Sequence, residues 1–326
     1  MEPPGNIPVF VLFGPTASGK TNVLLQLFAA GSKIGNAEIV SADSMQVYRG
    51  MDIGTAKPTV EEQALLPHHL IDIRDPGEQF TAGDFVRLAD EAISGIARRG
   101  ALPVVSGGTG FYLKNCITGL PESPPCDAGI RETLKLELKE KGAAALMEEL
   151  ARCDPASARK IHMNDEYRLL RALEVQRHSG RPLSSFNAAH LPRPRYRFLV
   201  IGLFRPREEL YRRIDERCAA MFSRGLGDEV RRLYEAGYTP RDPGLRAIGY
   251  REFFVQDEPF GSSEGGEYRL SQDIAGVQSL VAQNSRRYAK RQITFFASLP
   301  GAKKIMAGGD DEETARRLQK ELEEFL

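Results

Sequence analysis

Residues 14–21 read GPTASGKT, and they follow the apolar run Ile7–Phe13 and precede a segment with apolar residues at helical spacing. The stretch matches G-x-x-x-x-G-K-[ST], a phosphate-binding loop where it joins a buried strand to a helix. Backbone N–H groups of such a loop point at phosphate oxygens, and the lysine adds a positive charge. The residues predicted to bind a phosphorylated ligand are Gly14, Pro15, Thr16, Ala17, Ser18, Gly19, Lys20 and Thr21, with Mg²⁺ on the Thr21 hydroxyl.

The loop alone does not identify the ligand. ATP is the usual ligand of this pattern, and a kinase or an ATPase is the usual class of protein. A diphosphate ester would satisfy the same N–H donors, so both ligands remain open at this point.

Strands and helices alternate on both sides of the loop, which indicates a parallel sheet. Strands are predicted at residues 7–13, 38–41, 69–73 and 102–105, and helices at 21–30 and 81–98, with Thr81 as an N-cap. Helices follow at 128–141, 143–152 and 165–177. The later segments are a strand at 196–203, helices at 207–223, 228–236 and 273–297, a Gly/Ser-rich loop at 261–266, a strand at 303–306 and a helix at 311–326.

The predicted fold class is α/β, with a P-loop NTPase-like parallel sheet core flanked by helices. Strand patterns are missing between Pro121 and Arg193, and Pro-rich stretches lie at both ends of that segment. Residues 1–120 and 194–326 are therefore predicted to form the core, and residues 121–193 an all-helical insertion domain.

Composition narrows the class of protein further. The 326 residues carry no net charge, and no apolar run approaches the roughly 20 residues that span a bilayer. The four cysteines form no CxxC pair, so a structural metal site is not predicted. We expect a cytoplasmic monomer without a secretory signal.

Two polar positions follow predicted strands, where ligands bind in open α/β sheets. Asp43 is placed to accept a proton from an incoming nucleophile, or to cap a helix or form an ion pair. Thr109, within Gly107-Gly108-Thr109-Gly110, is placed to donate to a developing oxyanion, or belongs to a plain turn. The residues alone do not decide between these interpretations.

Basic residues cluster beside aromatic residues in three places. Arg168 and Arg171 accompany Tyr167, three arginines alternate with other residues at positions 193–197, and residues 286–291 hold four basic side chains beside Tyr288. Such clusters favour phosphate contacts and base stacking in a nucleic-acid complex, although a solvated charged face has the same composition.

Several longer motifs of the chain resemble those of a known family. GPTASGKT (14–21), SADSMQVYRGMDIGTAKP (41–58), PHHLIDI (67–73), SGGTGFY (106–112), DEYRLLRALE (165–174), IGYRE (248–252) and YAKRQIT (288–294) together resemble the tRNA dimethylallyltransferase family, in the family's order. The resemblance implies transfer of a dimethylallyl group from dimethylallyl diphosphate to N6 of the adenine 3′-adjacent to the tRNA anticodon. Diphosphate is released, Mg²⁺ is the cofactor, and no ATP is hydrolysed.

The resemblance also implies roles for single residues. Asp43 corresponds to the general base, Thr109 to the threonine near the bridging oxygen of the leaving group, and Arg217 to the arginine that pairs with the diphosphate. The stretches that correspond to tRNA contacts are Asp43, Ser44, Met45, Gln46, Thr109, Arg131, Tyr167, Arg168, Leu169, Leu170, Arg171, Arg246, Ala247, Ile248, Gly249, Tyr250, Arg251, Lys290, Arg291, Gln292, Thr294 and Phe295.

Two positions depart from the family pattern. Ser285 stands where the family usually has Thr, and Phe295 stands where it usually has Trp; the chain contains no Trp. Three alternatives to tRNA prenylation stay open: a P-loop kinase of a small molecule or nucleoside, an RNA-binding protein that uses the loop as a nucleotide switch, and an enzyme that prenylates free adenine nucleotides.

Overall fold

The computed structural model describes residues 6–28, 34–121, 123–124, 127–186, 191–256, 266–308 and 311–326. The chain divides into two compact units. The first comprises Met1–Gly119 and Leu191–Leu326, and the second comprises Leu120–His190. The chain leaves and re-enters the first unit at adjacent points, since the Arg193 N–H donates to the Ile117 carbonyl at 2.8 Å.

A parallel sheet forms the centre of the first unit. The strands of this unit are β1 (Ile7–Phe13), β2 (Ala37–Ser41), β3 (His68–His69), β4 (Leu102–Gly107), β5 (Tyr196–Phe204), β6 (Phe254–Gln256), β7 (Tyr268–Leu270) and β8 (Lys303–Met306). Six of them form one sheet in the order β3-β2-β4-β1-β5-β8, in which every neighbouring pair is parallel. This arrangement confirms the predicted parallel α/β core.

The carboxyl ends of the central strands determine where ligands can bind. Strand β1 ends at the phosphate-binding loop, β2 ends two residues before Asp43, and β4 ends two residues before Thr109. Because the strands are parallel, these ends lie at one edge of the sheet, the edge at which open α/β sheets bind ligands. The adjacency of β1 and β4 brings two of the predicted site segments together.

One predicted strand is mostly absent. Residues 69–73 were expected to be extended, but β3 contains only His68 and His69. Leu70 and Asp72 adopt positive φ values of 65° and 55°, which interrupt the extended backbone. The prediction failed because the chain turns in this stretch instead of staying extended. Its N–H groups bond to the loop after β2; the Ile73 N–H, for example, donates to the Val47 carbonyl at 2.9 Å.

Helices of the first unit pack on the sheet. The helices of both units are α1 (Lys20–Leu27), α2 (Val60–Leu65), α3 (Ala82–Arg98), α4 (Gly110–Thr118), α5 (Ala128–Cys153), α6 (Pro155–Ala158), α7 (Glu166–Ser179), α8 (Arg207–Ser223), α9 (Leu226–Glu235), α10 (Ile274–Phe296) and α11 (Asp311–Phe325). Thr81 caps α3 as predicted. Helices α2, α4 and α6 and the β6–β7 hairpin were not predicted. Residues 29–30 of the first predicted helix, and the predicted loop at 261–266 except Gly266, lie outside the described residues.

Two apolar clusters enclose the sheet. One contains Val9, Val11 and Phe13 of β1 together with Phe85 of α3 and Phe296 of α10. The other contains the alternate β1 residues Phe10 and Leu12, with side chains of α1 and α11. Strand β1 is therefore buried on both faces, as a central parallel strand requires, and it holds the phosphate-binding loop on a rigid base.

The second unit is helical and has a core of its own. Leu134, Leu146 and Leu150 of α5 pack with Leu169 and Leu173 of α7. Helix α5 is interrupted at Gly142, whose φ is 79°, so the two helices predicted on either side of this residue are distinct segments. Among the described helices of both units, none combines the length and apolarity that crossing a membrane requires.

Candidate active site

The phosphate-binding loop holds the Lys20 ammonium group over its own backbone. Lys20 Nζ donates to the carbonyl oxygens of Gly14 at 2.8 Å and Pro15 at 3.1 Å. Ala17 and Gly19 adopt positive φ values of 63° and 95°, so the loop contains a strained non-glycine residue. Helix α1 begins at Lys20, which leaves its first N–H groups available to an anion.

The pKa of Lys20 lies well below that of an ordinary lysine. Burial lowers the pKa of Lys20 to about 8, and the neighbouring Arg217 lowers the pKa too, whereas Asp43 raises it. Lys20 therefore lies near one other cation and one carboxylate, and an incoming anion would favour the charged form of Lys20.

Arg217 on α8 is a half-buried cation close enough to Asp43 for that carboxylate to affect its pKa. Burial lowers its pKa, and Asp43 acts in the opposite direction. Within the described residues, the Arg217 guanidinium has no hydrogen-bond or ion-pair partner. Because a desolvated, unpaired arginine is costly in a structural role, its position beside Lys20 indicates an anion-binding role.

Asp43 is held by the backbone that follows it. Its Oδ1 accepts the N–H groups of Met45 at 2.9 Å and Gln46 at 3.3 Å. These bonds fix the carboxylate and leave Oδ2 for a substrate proton. The alternative of an ion pair finds no support among the described residues, since no salt bridge involves Asp43.

Thr109 connects the loop after β4 to the loop after β2. Its Oγ1 accepts the Ser44 N–H at 3.0 Å, and its hydroxyl lies 3.3 Å from Ser44 Oγ. A Cβ on Gly107 would overlap the Ala42 carbonyl, so only glycine allows this close approach of the two loops. The Thr109 hydroxyl thereby contacts Ser44, the residue that follows Asp43.

Several of these groups line one cavity of about 360 Å³, whereas Thr109 does not line it but contacts the lining residue Ser44. Lys20, Asp43, Arg217 and Tyr288 line it together with apolar side chains of α1, α8 and α10. Many polar and charged side chains share the lining with these apolar ones, and a cavity of this volume can hold a small charged molecule.

Tyr288 on α10 was not identified as a site residue from the sequence. Burial and the Asp43 carboxylate raise the pKa of Tyr288 to about 12, although hydrogen bonds with Thr109 and Gln292 act in the opposite direction. Tyr288 therefore stays protonated at neutral pH and can donate a hydrogen bond in the cavity. In the sequence, Tyr288 stood out as the aromatic residue beside four basic side chains at 286–291 and as the first residue of the motif at 288–294, but no role in the cavity was assigned to it.

Gln292 joins the two ligand-binding loops. Its Oε1 accepts the Thr16 N–H at 3.0 Å, and its Nε2 donates to the Gly108 carbonyl at 2.8 Å. Both ends of the amide are occupied by the protein, so the structure gives Gln292 a supporting position where a tRNA contact was predicted.

The remaining residues with predicted tRNA contacts in the first unit fall into two groups. Those that line the cavity or are exposed are Ser44, Met45, Gln46, Arg246, Ala247, Ile248, Arg251, Lys290, Arg291 and Thr294. Gly249 and Tyr250 are instead buried, and Phe295 packs against Gly110. Phe295 therefore fills the space beside the Thr109 turn, which accounts for an aromatic residue at this position.

Glu229 is a buried carboxylate that sequence analysis missed. It accepts N–H groups of Asp52, Ile53 and Gly54 at 2.8–3.1 Å, and the Tyr250 hydroxyl at 2.7 Å. One side chain of α9 thereby joins the segments 41–58 and 248–252, which are distant in sequence.

Replacing Glu229 with Gln is expected to lower the free energy of unfolding by about 3 kcal/mol, because an NH₂ group would face N–H donors that a carboxylate oxygen now accepts. Chemical denaturation followed by circular dichroism measures this change. Glu235→Gln, at an exposed position of the same helix, is the matched control. Equal stability of the two variants would contradict the assignment.

The second unit presents part of its predicted tRNA surface. Tyr167 is 73% exposed, and the Arg131 guanidinium lies 5.0 Å from its ring centroid. Arg131 and Arg171 both contact the buried Glu174, at 3.2 and 3.3 Å. Leu169 and Leu170 are buried in the helical core, so a tRNA contact in this segment falls to Tyr167 and Arg168.

Comparison with known proteins identifies many relatives. The family model described as IPP transferase matches residues 46–299. The chain is 45% identical to tRNA dimethylallyltransferase 1 of Pelobacter propionicus over 293 residues, and 45% identical to the tRNA dimethylallyltransferase of Geobacter sulfurreducens over 294; each alignment covers 90% of both chains.

Solved structures agree with these matches. The full-length tRNA isopentenylpyrophosphate transferase of Bacillus halodurans is 36% identical, with a TM-score of 0.65 and 97% of each chain covered. A eukaryotic dimethylallyltransferase, whose structures describe it acting on tRNA, is 26% identical, with a TM-score of 0.77, covering 96% of this chain and 78% of that one.

Proposed function

The chain belongs to the IPP transferase family and is a tRNA dimethylallyltransferase with a P-loop NTPase-like fold, and from this premise we propose how its residues carry out the transfer. The donor is dimethylallyl diphosphate, and the acceptor is N6 of the adenine 3′-adjacent to the anticodon. The observation that carries this assignment is the placement of Lys20, Arg217 and Asp43 around one cavity.

The donor diphosphate binds at residues 14–21. Lys20 and Arg217 neutralise the charge that develops on the leaving group, and the N–H groups at the start of α1 add to this effect. Arg217 forms no hydrogen bond or ion pair within the described residues, and this supports the role, since a half-buried guanidinium without a hydrogen-bonded carboxylate gains from an anionic ligand.

Mg²⁺ would bind beside the diphosphate. The described residues contain no cluster of three or more His, Cys, Asp or Glu side chains suited to hold a metal ion. The Thr21 hydroxyl at the start of α1 fits the usual mode, in which one protein oxygen supplements phosphate oxygens and water. When bound, the ion would withdraw charge from the leaving diphosphate.

Asp43 receives the proton that N6 loses as the new carbon–nitrogen bond forms. Oδ2 carries out this step, because Oδ1 is engaged by backbone N–H groups. Thr109 and Tyr288 act as hydrogen-bond donors near the carbon–oxygen bond that breaks, and Tyr288 suits this role because its raised pKa keeps it protonated.

tRNA binds through residues at the cavity and through Tyr167 and Arg168 of the second unit. Adenine N6 cannot be reached within a base stack, so the base is flipped into the cavity. Exposed Tyr167 and Arg168 provide a stacking surface and a phosphate contact. The enzyme is proposed to act as a monomer in the cytoplasm, where anticodon stem-loops are available.

Incubation with labelled dimethylallyl diphosphate, Mg²⁺ and unmodified tRNA, followed by nucleoside analysis, tests the function. Label on N6 of the adenine beside the anticodon is expected. The same assay with free adenine nucleotides, and with ATP and small alcohols, tests the alternatives. Phosphoryl transfer from ATP in the absence of tRNA would overturn the proposal in favour of a kinase.

The rate of donor use is expected to decrease at alkaline pH. Since burial lowers the pKa of Lys20 to about 8, kcat/KM for dimethylallyl diphosphate should fall as the pH rises through this value and the ammonium loses its charge. At saturating donor, kcat should fall at higher pH, because bound diphosphate stabilises the ammonium form.

Initial rates across neutral and alkaline pH measure this effect. Lys20→Met should lose the alkaline decrease along with most activity, whereas Lys320→Met, at an exposed position of α11, should retain it. A kcat/KM that stays constant through this pH range would contradict the role of Lys20.

A further inference from the structure

Arg205 is a buried arginine that the proposed reaction does not use. It directly follows β5, and its side chain is completely buried. Arg205 Nε donates to the Ser18 carbonyl at 2.8 Å, so the guanidinium lies against the phosphate-binding loop. We propose that Arg205 is a positioning residue for this loop, and that through it Asp311 and Gly308 of the C-terminal segment set the affinity for diphosphate.

The bond to Ser18 determines how the loop presents its N–H groups. In a trans peptide the C=O and N–H groups point in opposite directions. Because the Ser18 carbonyl faces Arg205, the Gly19 N–H faces away from it. Arg213 makes a similar contact, with its Nε 3.0 Å from the Ala17 carbonyl. Two arginines thus hold two consecutive carbonyls, at the point where Ala17 and Gly19 adopt positive φ.

The C-terminal segment supplies the other partners of Arg205. Nη1 donates to the Gly308 carbonyl at 2.8 Å and contacts Glu209 at 2.6 Å, and Nη2 forms an ion pair with Asp311. Gly308 follows β8, and Asp311 begins α11. The planar guanidinium therefore connects the end of the chain to the loop at its beginning.

Packing around Gly19 shows how little space this connection leaves. An ideal Cβ on Gly19 would lie 3.1 Å from Arg205 Nη2 and 3.4 Å from Asp311 Oδ1. A side chain at this position would therefore crowd Arg205 and Asp311, and glycine lets both lie close to the backbone whose N–H precedes the first turn of α1. Arg205 can position the loop because it has fixed contacts on both sides.

Arg205 and its carboxylate partners could also act on diphosphate through their charge. This role and the positioning role predict opposite effects on diphosphate binding when a carboxylate is removed. Glu209 and Asp311 together outweigh the single positive charge of Arg205. If the cluster acted on diphosphate by charge, removing the Asp311 carboxylate would tighten diphosphate binding. If Arg205 acts by position, Asp311→Asn loosens the guanidinium and weakens binding.

Kinetics and binding of Asp311→Asn distinguish these roles. We expect KM for dimethylallyl diphosphate and the dissociation constant of inorganic diphosphate, measured by calorimetry, to rise about 10-fold, with kcat and tRNA affinity changed less than 3-fold. Arg205→Lys, which keeps the charge but loses the planar fork, should show the same pattern. Glu312→Gln, in the same exposed helical turn, controls for charge at the start of α11.

The outcomes separate this inference from the proposed function on which it rests. Unchanged or tighter diphosphate binding by Asp311→Asn would overturn the role of Arg205, and so would a fall in kcat alone. Thermal unfolding of each variant identifies loss of folding, and Asp311→Asn serves where Arg205→Lys does not fold. Wild-type protein that binds inorganic diphosphate but prenylates no tRNA would overturn the proposed function only.

Discussion

Replacing Asp43 with Asn is expected to lower kcat for prenyl transfer about 10³-fold, within the range that general-base catalysis contributes. Asn keeps an oxygen that can accept the N–H groups of Met45 and Gln46, so the loop after β2 should keep its conformation. The amide cannot accept the N6 proton. The expected loss of kcat therefore measures the contribution of the general base and not a change in the conformation of the loop.

The effect on substrate binding should be small and of definite sign. Asp43 lies near Lys20 and Arg217, so its negative charge opposes an incoming diphosphate. Asp43→Asn should leave the KM for dimethylallyl diphosphate unchanged or lower it, and tRNA affinity should change less than about 3-fold. Single-turnover rates and filter binding measure the two quantities separately.

Asp75→Asn is the matched control for this substitution. Asp75 is exposed and pairs with Arg49, and it does not line the cavity. Its variant should prenylate tRNA at the wild-type rate. Asp43→Asn that retains a tenth of the wild-type kcat would refute the general-base assignment.

Replacing Arg217 with Met is expected to lower kcat/KM for dimethylallyl diphosphate about 10²- to 10³-fold, the range for removal of one group that stabilises developing charge. Both KM and kcat should change, because the guanidinium is proposed to contact the diphosphate before and during departure of the leaving group. The fold should tolerate the change, since Arg217 has no ion-pair partner among the described residues.

The same substitution should also alter the pH dependence. Arg217 lowers the pKa of Lys20, so its removal should move the alkaline decrease of kcat/KM to higher pH. Asp43→Asn should move that decrease to lower pH, because Asp43 raises the pKa of Lys20. Opposite shifts in the two variants would place both charges next to Lys20.

Arg212→Met is the control for Arg217→Met. Arg212 lies on the same helix, is exposed, and pairs with Glu216 four residues later. Its variant should behave as the wild type in rate and pH profile. Equal losses in the two variants would mean that general positive charge on α8 is responsible, and not a contact with diphosphate.

Local pattern predicted the fold where one signal dominated. Ile7–Phe13 is apolar throughout, as a central parallel strand must be, and its bounds were predicted correctly. Thr81 and Asp84 form a capping box that fixes the start of α3. Residues 69–73 misled because left-handed backbone at Leu70 and Asp72, which are not glycines, leaves no clear trace in sequence.

The site was predictable only where its residues lie in motifs. Asp43 and Thr109 follow strands, and their ligand-edge position could be inferred from alternation of strands and helices. Tyr288 and Gln292 lie in a motif, at 288–294, but their contacts with the loops were not predicted, because they reach the loops from α10, more than 170 residues after Thr109; Arg205 reaches them from the end of β5. Such contacts depend on tertiary packing, which local periodicity does not encode.

The hydrogen bond between the Arg193 N–H and the Ile117 carbonyl bears on how much the length of the second unit can vary. Where a chain leaves a domain and re-enters it at an adjacent point, a longer inserted segment costs little additional entropy. The entropic cost of closing a loop grows only with the logarithm of its length. The second unit can therefore gain or lose helical turns without disturbing the register of β4 or β5 with β1. The proposed tRNA contacts of this unit can then change while the residues around the cavity stay as they are.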